Sequence, residues 1–446
     1  MKKKILLIVL LIVILLGTGF AYAYFATDAF KTEKEIFFSY FLGNKAMEKT
    51  EVQEKLSEYL SKKENTTFTN KGEVTLNISG AGAAAYFNDD DGSLEMLNSS
   101  KIIFEGKTNT SKKLSEQTIT MDFSQGFNIP IELKRDGDTY GIQSDFLDSK
   151  FIAIRNENLK ALAERFEIDS TEIPDKIDMD AEKFTEEEIK ILKEKYIKLL
   201  NDNLEDELFK KEKIDNQTIV TLSMTEKKAT EVIINLLETI KSDEIILGKL
   251  DEECKTQFQN SIDDKLNELK EQKVSENNKI EIQMYIEGKI VKKYEIAYLE
   301  NEQATLNAVL EVSENKITLK VYENSKLLLD VTSIVEKTEN DVIVTAEAKL
   351  INEESMVASC TVTMQYKNLF ALDNVEEIYD IKILYEDTQV SENTTTMGIN
   401  FKNQIIFTPD AKIENLNKNN AITINDATDE ELQTLILNIY KKFGLV

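Results

Sequence analysis

Residues 278–298 read NKIEIQMYIEGKIVKKYEIAY, and this stretch carries the pattern on which the fold depends. Its apolar side chains recur at every second position, at Ile280, Ile282, Met284 and Ile286 and then at Tyr294, Ile296 and Tyr298. A period of two is typical of a β-strand that buries one face. The Glu287-Gly288 pair between the two runs favours a turn. The stretch therefore predicts two antiparallel strands with a common apolar face.

The same alternation extends over most of 278–407 and, less regularly, over 66–155. In the later region it predicts eight or more strands at a spacing of roughly twelve residues, which is typical of an antiparallel meander. In the earlier region, 128–133 and 139–143 flank a turn at Arg135-Asp136-Gly137-Asp138. These two runs predict a β-hairpin.

The region between the two alternating stretches is predicted to be mostly helical, because its apolar residues recur every three or four positions. Four helices are predicted: the first at 156–166, the second at Glu186–Lys211, a third that begins after an N-cap at Ser223 or Thr225, and a fourth at Asp243–Lys273. A single strand is predicted between the second and the third, at Gln217–Ser223. A last helix is predicted over Asp426–Phe443, with its N-cap near Thr428.

These patterns predict an α+β fold of antiparallel β-meander sheets with packed helices, preceded by one transmembrane helix. The expected segments are 1–26, an N-terminal transmembrane anchor or signal peptide; 27–64, juxtamembrane helices; 65–155, a first antiparallel β unit; 156–275, a helical region; and 276–446, a second antiparallel β unit with a C-terminal helix. Strands followed by helices and again by strands suggest two similar units, so duplication is a hypothesis.

The anchor prediction rests on Ile5–Ala26, which is uncharged and follows Lys2, Lys3 and Lys4. A run of about 20 apolar residues is long enough to cross a bilayer as a helix, and the lysines place the N-terminus in the cytoplasm. The alternative is a secretory signal cleaved after Ala21-Tyr22-Ala23. We expect a single-pass protein of the cell membrane with an extracellular C-terminal domain, or a secreted protein if the signal is cleaved.

Two helices are expected between the anchor and the first strands. Thr32 and Glu35 match a capping box, and Gly43-Asn44 separates the first helix from the second. The first helix carries an aromatic face, made of Ile36, Phe37, Tyr40 and Phe41. This face fits a helix that docks on a membrane surface or a partner, but it also fits ordinary packing against the domain beneath it, which we expect.

The composition excludes several classes of function. The formal net charge is −27, so nucleic acid is not an expected partner, because phosphate binding needs a basic patch. The chain has no histidine, which excludes histidine-dependent triads and histidine-liganded zinc. We predict that the protein is not an enzyme, with an enzyme that uses a Ser–Lys dyad or a pair of carboxylates as the open alternative, and we assign no catalytic, cofactor-binding or metal-binding residue and no cofactor.

Three short features were weighed as sites. Asn88-Asp89-Asp90-Asp91-Gly92-Ser93 offers oxygen ligands for Ca²⁺, but it lacks the EF-hand spacing, so we expect a solvated turn. Gly80-Ala81-Gly82-Ala83 lacks the residues of a phosphate-binding loop. Cys254 and Cys360 fit either a disulfide or two buried thiols; the alternation around Cys360 favours buried thiols.

Two local runs resemble uncharacterised membrane-anchored extracytoplasmic proteins of low-GC Gram-positive bacteria. They are TDAFKT at 27–32, after the lysine-rich start and single span, and FIAIRNENLKALA at 151–163. The predicted architecture, a broad antiparallel sheet with helices on its inner face, resembles the LolA/LppX class of envelope lipid carriers. That class holds an acyl chain between sheet and helices, so the second resemblance implies a hydrophobic ligand.

The expected function is a non-enzymatic binding or scaffold protein of the cell envelope. Its partners would be the membrane, through residues 5–26, and an envelope protein or a lipid. Two alternatives stay open: a carrier of lipid or another hydrophobic ligand with LolA/LppX-like architecture, and a Ca²⁺-responsive adhesion or assembly module.

Overall fold

The computed structural model describes residues 32–41, 50–83, 92–123, 127–170, 173–177, 184–352, 356–387 and 394–443. The predicted anchor at 5–26, the Gly43-Asn44 break and Asn88–Asp91 lie outside these ranges. In the described part of the chain, no helix combines the length and the apolar character that crossing a membrane requires. The predicted transmembrane helix therefore stays a prediction.

The described residues form an α+β fold, as predicted. The helices are α1 (Glu33–Phe41), α2 (Glu51–Asn65), α3 (Ser93–Ser99), α4 (Leu159–Arg165), α5 (Glu186–Asn203), α6 (Glu226–Lys241), α7 (Glu244–Leu247), α8 (Glu252–Glu271) and α9 (Asp429–Lys442). The strands are β1 (Phe68–Ser79), β2 (Lys101–Asn109), β3 (Leu114–Phe123), β4 (Phe127–Asp136), β5 (Thr139–Ser144), β6 (Asp148–Arg155), β7 (Phe209–Ile214), β8 (Gln217–Thr225), β9 (Lys279–Glu287), β10 (Ile290–Glu300), β11 (Gln303–Val312), β12 (Lys316–Glu323), β13 (Lys326–Lys337), β14 (Val342–Asn352), β15 (Met356–Lys367), β16 (Asn374–Asp387), β17 (Thr394–Phe407) and β18 (Ala421–Thr423).

The chain divides into two compact units, each built from two separate segments. Unit 1 comprises Met1–Thr50 and Asp180–Ser333, and unit 2 comprises Glu51–Met179 and Ile334–Val446. Unit 1 thus combines α1, the first of the two helices predicted after the anchor, with most of the predicted helical region and with the first strands of the last segment.

The sheet of unit 1 contains the strands of the opening stretch. β7 to β12 pair antiparallel in chain order. Ile280 lies opposite Tyr298 and Ile282 opposite Ile296, so the apolar residues of β9 and β10 share one face, as predicted. Gly288, at φ 66°, occupies the left-handed region in the turn between them.

Helices cover this face of unit 1. The core combines side chains of α1, α5, α6 and α8 with those of β8 to β11. Ile36, Phe37 and Tyr40 are buried in it, and the ring centroid of Phe37 lies 5.2 Å from that of Phe209. The aromatic face of α1 is therefore ordinary core packing for these residues, and the membrane- or partner-docking interpretation is wrong for them.

Two helix predictions in this region need correction. The helix predicted over Glu186–Lys211 ends at Asn203, and Phe209–Ile214 instead form β7, which pairs with β8. Phe209 is buried while the charged residues after it are exposed, so strand pairing overrides their helical propensity. The helix predicted over Asp243–Lys273 is two helices, because Asp251 caps a new start at α8.

Unit 2 contains a larger sheet, in which β14, β15, β16, β17, β1, β2, β3, β4, β5 and β6 pair antiparallel in that order. The short strand β18 pairs with β6 in parallel. β1 thereby joins the predicted early and late strand regions in one sheet. The predicted hairpin of 128–133 with 139–143 is confirmed as part of β4 and β5.

The predicted helix caps are confirmed where the structure describes them. Thr428 and Glu431 form a reciprocal capping box at the start of α9. The Thr32 amide donates to the Glu35 carboxylate at 2.8 Å, and the Glu35 amide donates to the Thr32 hydroxyl at 3.2 Å.

A buried carboxylate fixes helices α5 and α7 of unit 1 to each other. Asp243 is almost completely buried and caps α7, and its Oδ2 accepts from Lys195 Nζ at 2.7 Å and from the Tyr196 hydroxyl at 3.0 Å. Burial opposes ionisation, but these donors and the Ile246 amide outweigh it and lower the pKa of Asp243.

Replacing Asp243 by Asn should keep the helix cap but remove the charge that Lys195 contacts. A carboxyl with a lowered folded-state pKa stabilises the fold above its unfolded pKa of about 3.9, and this contribution is lost as the pH falls through the folded value. We expect D243N to lower the free energy of unfolding by about 1–3 kcal/mol at pH 7, and by less below pH 4. Urea unfolding at both pH values measures this.

The control for that experiment is D251N, at the exposed N-cap of α8. It should change the free energy of unfolding by only a few tenths of a kcal/mol, because Asn is also a good N-cap. Equal effects of the two variants at pH 7 would contradict the role given to the buried ion pair.

Candidate binding surface on unit 2

Among the residues that the structure describes, an apolar surface without a covering helix is the most distinctive feature of unit 2. On one face of its sheet, four strands place uncharged side chains in cross-strand rows without a register shift. We call this surface the apolar platform; it consists of Val344, Ala346, Ala348 and Leu350 of β14, Met364, Val362, Cys360 and Ala358 of β15, Tyr379, Ile381, Ile383 and Tyr385 of β16, and Phe401, Ile399, Met397 and Thr395 of β17.

The platform differs from the matching face of unit 1 in exposure. Ile280, Ile282 and Met284 of unit 1 are at most 2% exposed beneath helices. On the platform, Ile383 is 37% exposed and Tyr385 43% exposed. The remaining platform side chains are only half-buried or exposed. The same alternation therefore builds a covered core in unit 1 and an accessible apolar surface in unit 2.

The opposite face of the same strands is mostly polar, although it also carries Ile343, Leu384 and Ile406. It carries Thr345, Glu347 and Lys349 of β14, Ser359, Thr361, Thr363 and Gln365 of β15, Asp380 and Lys382 of β16, and Asn400 and Lys402 of β17. A sheet with one wet face and one apolar face normally packs its apolar face against something. The contrast between the two faces therefore makes the platform, rather than the sheet as a whole, the candidate surface.

Helix α2 closes one end of the platform. It packs over the next rows of the same face, with Val52 and Tyr59 buried against Val342, Val375 and Ile405. The Tyr59 ring also contacts Tyr366 and Phe407 edge to face, at centroid distances of 6.3 and 6.1 Å. The apolar core beneath α2 therefore continues directly into the platform.

A buried carboxylate, Glu377, fixes α2 in this position. Its Oε1 accepts from the Tyr59 hydroxyl at 2.9 Å and from Lys63 Nζ at 2.8 Å, and its Oε2 accepts from Asn403 Nδ2 at 3.0 Å. Burial, and then the negative charge of Glu377, raise the pKa of Tyr59 well above its usual range. Tyr59 is therefore a neutral donor that holds the helix, not a proton-transfer group.

Helix α3 borders the platform on the side of β1. Its Leu94 packs with Ile78, which lies opposite Met397. Asn98 of α3 accepts from the Ile78 amide at 2.7 Å and donates to the Ile78 carbonyl at 2.8 Å. The pairing of β1 with β2 ends at Thr75, before Ile78. Asn98 therefore supplies the hydrogen-bond partners that a neighbouring strand would otherwise give to the amide and the carbonyl of Ile78.

The polar face of the unit 2 sheet also carries a shallow groove of about 340 Å³, lined in part by Lys71, Glu105, Glu116 and Gln404. Lys71 pairs with Glu105 at 3.0 Å, and Lys134 pairs with Glu116 at 3.3 Å. Lys71, Glu105 and Glu116 of its lining are therefore already paired within the sheet, which leaves the groove a weaker candidate than the platform.

The short features weighed from the sequence do not form a site in the described residues. Gly92 and Ser93 of the acidic run start α3, whereas Asn88–Asp91 lie outside those residues. In the described ranges, no three Asp, Glu or Cys side chains group to hold a metal ion. Cys254 is exposed on α8, so the prediction of a buried thiol is wrong there, and Cys360 is half-buried on the platform.

The alternation of these strands is evident in the sequence, but the platform is not. One signal could have revealed it. The last segment, 276–446, contains many apolar strands and only one predicted helix to cover them. Glu377 was also missed, although it occupies an inward position of β16 between Val375 and Tyr379, where an acid is unusual.

The chain matches no protein-family model and no curated protein. Among solved structures, a CymD monoaromatic hydrocarbon channel aligns at 6% identity and a TM-score of 0.22, over 84% of this chain and 97% of the channel. A transferrin-binding protein B mutant from Haemophilus parasuis aligns at 9% identity and a TM-score of 0.13, over 77% and 76%. Such low TM-scores carry no argument about fold or function.

We expect Glu377→Gln to destabilise the protein by about 1–3 kcal/mol, because the variant loses the charge that Lys63 contacts at the end of α2. Equilibrium unfolding in urea measures the change. Glu376→Gln is the matched control, since Glu376 pairs with Lys367 at 3.0 Å on the exposed face and such pairs contribute at most about 1 kcal/mol. The assignment fails if the control costs as much as E377Q.

Proposed function

We propose that this chain is a non-enzymatic binding protein of the cell envelope that takes a hydrophobic ligand on the apolar platform of unit 2. The observation that carries the proposal is the exposure of that surface. Leu350 of β14, Ile383 and Tyr385 of β16, and Met397 of β17 are all more than a third exposed on one continuous face. Exposed apolar patches of this kind mark interaction sites in soluble domains.

The chemistry of the platform supports binding rather than catalysis. The platform contains no Asp, Glu, Lys or Arg side chain, and its titratable groups are limited to the thiol of Cys360 and the hydroxyls of Tyr379 and Tyr385, of which Tyr379 donates to the Tyr366 hydroxyl at 3.4 Å. Glu377, on the same face beyond the end of the platform, is buried and already accepts hydrogen bonds from Tyr59, Lys63 and Asn403. Apolar side chains with a few polar atoms at the edge are typical of a ligand-binding surface.

The proposed location follows from the N-terminal sequence. Residues 5–26 would hold the protein at the membrane with its two units outside the cell, or the protein would be secreted if the segment is cleaved as a signal. Fractionation of cells that make the full chain tests this. We expect the intact protein in the membrane fraction, where only detergent releases it; a shortened chain in the medium would contradict the anchor.

The Ca²⁺-responsive module remains a prediction that no contact in the described residues supports. The acidic run that motivated it has only Gly92 and Ser93 in those residues. The hydrophobic-ligand proposal is preferred because it rests on a surface whose residues are described.

A charge at the centre of the platform should abolish binding of a neutral hydrophobic dye. We expect Ile383→Glu to raise the dissociation constant of Nile red at least tenfold, because the dye would have to desolvate the new carboxylate. Fluorescence titration of the full chain measures the constant, and the melting temperature establishes that the variant folds.

The chain offers a closely matched control for this variant. Ile406 is 41% exposed on the opposite face of the neighbouring strand β17, so Ile406→Glu adds the same charge to the same sheet at a similar exposure. Nile red affinity should stay within twofold of the unmodified protein. Equal loss in both variants, or no loss in I383E, would overturn the proposal.

A further inference from the structure

We propose that Lys63 of α2 and Asn403 of β17 become joined by an isopeptide bond, with Glu377 of β16 as the group that moves the protons. The bond forms between the Lys63 amine and the side-chain amide of Asn403, and ammonia leaves. It lies inside unit 2 and does not depend on the binding proposed for the apolar platform. Three observations support it: the contacts of one carboxylate, the burial of the site, and an amide oxygen without a partner.

One carboxylate brings the amine and the amide together. Glu377 Oε1 accepts from Lys63 Nζ at 2.8 Å, and Glu377 Oε2 accepts from Asn403 Nδ2 at 3.0 Å. Glu377 and Asn403 are direct cross-strand partners, and such pairs have Cβ atoms about 4.5–5.5 Å apart. Lys63 reaches both from α2, and its amine ends a flexible stem. Rotation about the last bonds of that stem can bring Nζ within about 3–3.5 Å of Asn403 Cγ, the separation from which addition occurs.

The site is poor in water. Glu377 is 3% exposed and Asn403 is 7% exposed. The Lys63 Nζ lies 5.7 Å from the ring centroid of Tyr59 and 6.0 Å from that of Phe68. In such surroundings a proton passes from an ammonium group to a carboxylate more readily than in water, because the neutral pair has no charge to desolvate. The neutral amine that results is a nucleophile, and the carboxyl beside it serves as general base and acid.

The oxygen of the Asn403 amide is not held in place. Asn403 Oδ1 is buried and accepts no hydrogen bond from the residues that the structure describes. A buried polar atom without a partner is uncommon in folded proteins and requires an explanation. Here no donor at Oδ1 has to be given up when the geometry at Cγ changes from planar to tetrahedral.

The reaction balances without an oxidant, a reductant or a co-substrate. The bond between Lys63 Nζ and Asn403 Cγ forms, and the bond between Asn403 Cγ and Nδ2 breaks. The Lys63 ammonium group loses two protons. One passes through the Glu377 carboxyl to Nδ2, which leaves as ammonia, and the second is taken up by that ammonia in water, so Glu377 ends ionised as it began. The product links α2 covalently to the sheet of unit 2.

Unit 1 contains a more exposed counterpart of this cluster. Glu295 accepts from Lys293 Nζ at 3.1 Å and from Asn307 Nδ2 at 3.1 Å, and Asn307 Oδ1 also lacks a partner among the described residues. The Glu295 side chain is 27% exposed, however, against 3% for Glu377. Burial opposes the ammonium form of Lys293, but hydrogen bonds to Glu295 and Tyr285 outweigh it and raise the pKa of Lys293. Lys293 therefore stays an ammonium group, and we expect no bond between Lys293 and Asn307.

Mass spectrometry of the denatured full chain tests the proposal. We expect a mass about 17 Da below that of its sequence, which is the mass of one ammonia, and a digest in which the peptides of Lys63 and Asn403 are linked. Lys63→Arg and Glu377→Gln should each retain the full mass. Lys63→Arg keeps the positive charge beside Glu377, so it guards against a variant that fails to fold. Lys62→Arg is the matched control, because Lys62 Nζ donates instead to the Leu372 carbonyl at 2.6 Å; this variant should lose ammonia as the unmodified chain does.

Three outcomes would overturn the proposal: the full mass in the unmodified chain, a loss of ammonia that persists in K63R, or linkage of Lys293 to Asn307 in its place. The second outcome would mean that an asparagine loses ammonia to its own main chain, without the lysine. The unfolding comparison of E377Q with the unmodified protein concerns unreacted chains, so the mass of each sample is measured first.

Discussion

An unbroken antiparallel ladder is the constraint on which the rest of this structure depends. Side chains alternate between the two faces of a strand, so a fixed register commits every second residue to one side of the sheet. β14 to β17 keep their register over their paired length, and the apolar positions of all four strands therefore accumulate on one face. In unit 1 the corresponding positions of β8 to β11 lie beneath helices. In unit 2, the described helices cover only part of the face, and the rest is the apolar platform.

Buried carboxylates fix the positions of helices that pack on the two sheets. Asp243 joins α5 to α7, and Glu377 joins α2 to β16 and β17. An ionised carboxylate inside a protein is costly unless donors surround it, so each of these groups tolerates only the arrangement that supplies its partners. Glu377 thus specifies the position of α2 more strictly than apolar contacts could, and it fixes the edge at which the core ends and the platform begins.

Local patterns in the sequence predict the elements that depend on neighbouring residues. The alternation around Ile282 predicts β9 and β10, and the Thr428–Glu431 pair marks the start of α9. β7 was missed because its charged residues favour a helix, and only pairing with β8 makes it a strand. The break before Asp251 was missed because apolar spacing continues across it.

The platform itself depends on information that no local window contains. Alternation establishes that Ile383 and Ile282 each lie on an apolar face, but it does not say which face a helix covers. Coverage is set by contacts between residues far apart in the chain, as between Tyr59 and Glu377. Glu377 is the one local indication of where the helix cover ends, because this acid lies on the inward face of β16 at the end of the platform.

The central claim is that the platform is accessible in the folded protein while the same face of unit 1 is not. Maleimide labelling of Ile383→Cys and Ile282→Cys, each in a background with Cys254→Ser and Cys360→Ser, measures this directly. The account predicts that position 383 labels in the folded protein at close to the rate of the unfolded chain, and that position 282 labels only in urea. Equal protection of both positions in the folded protein would contradict it.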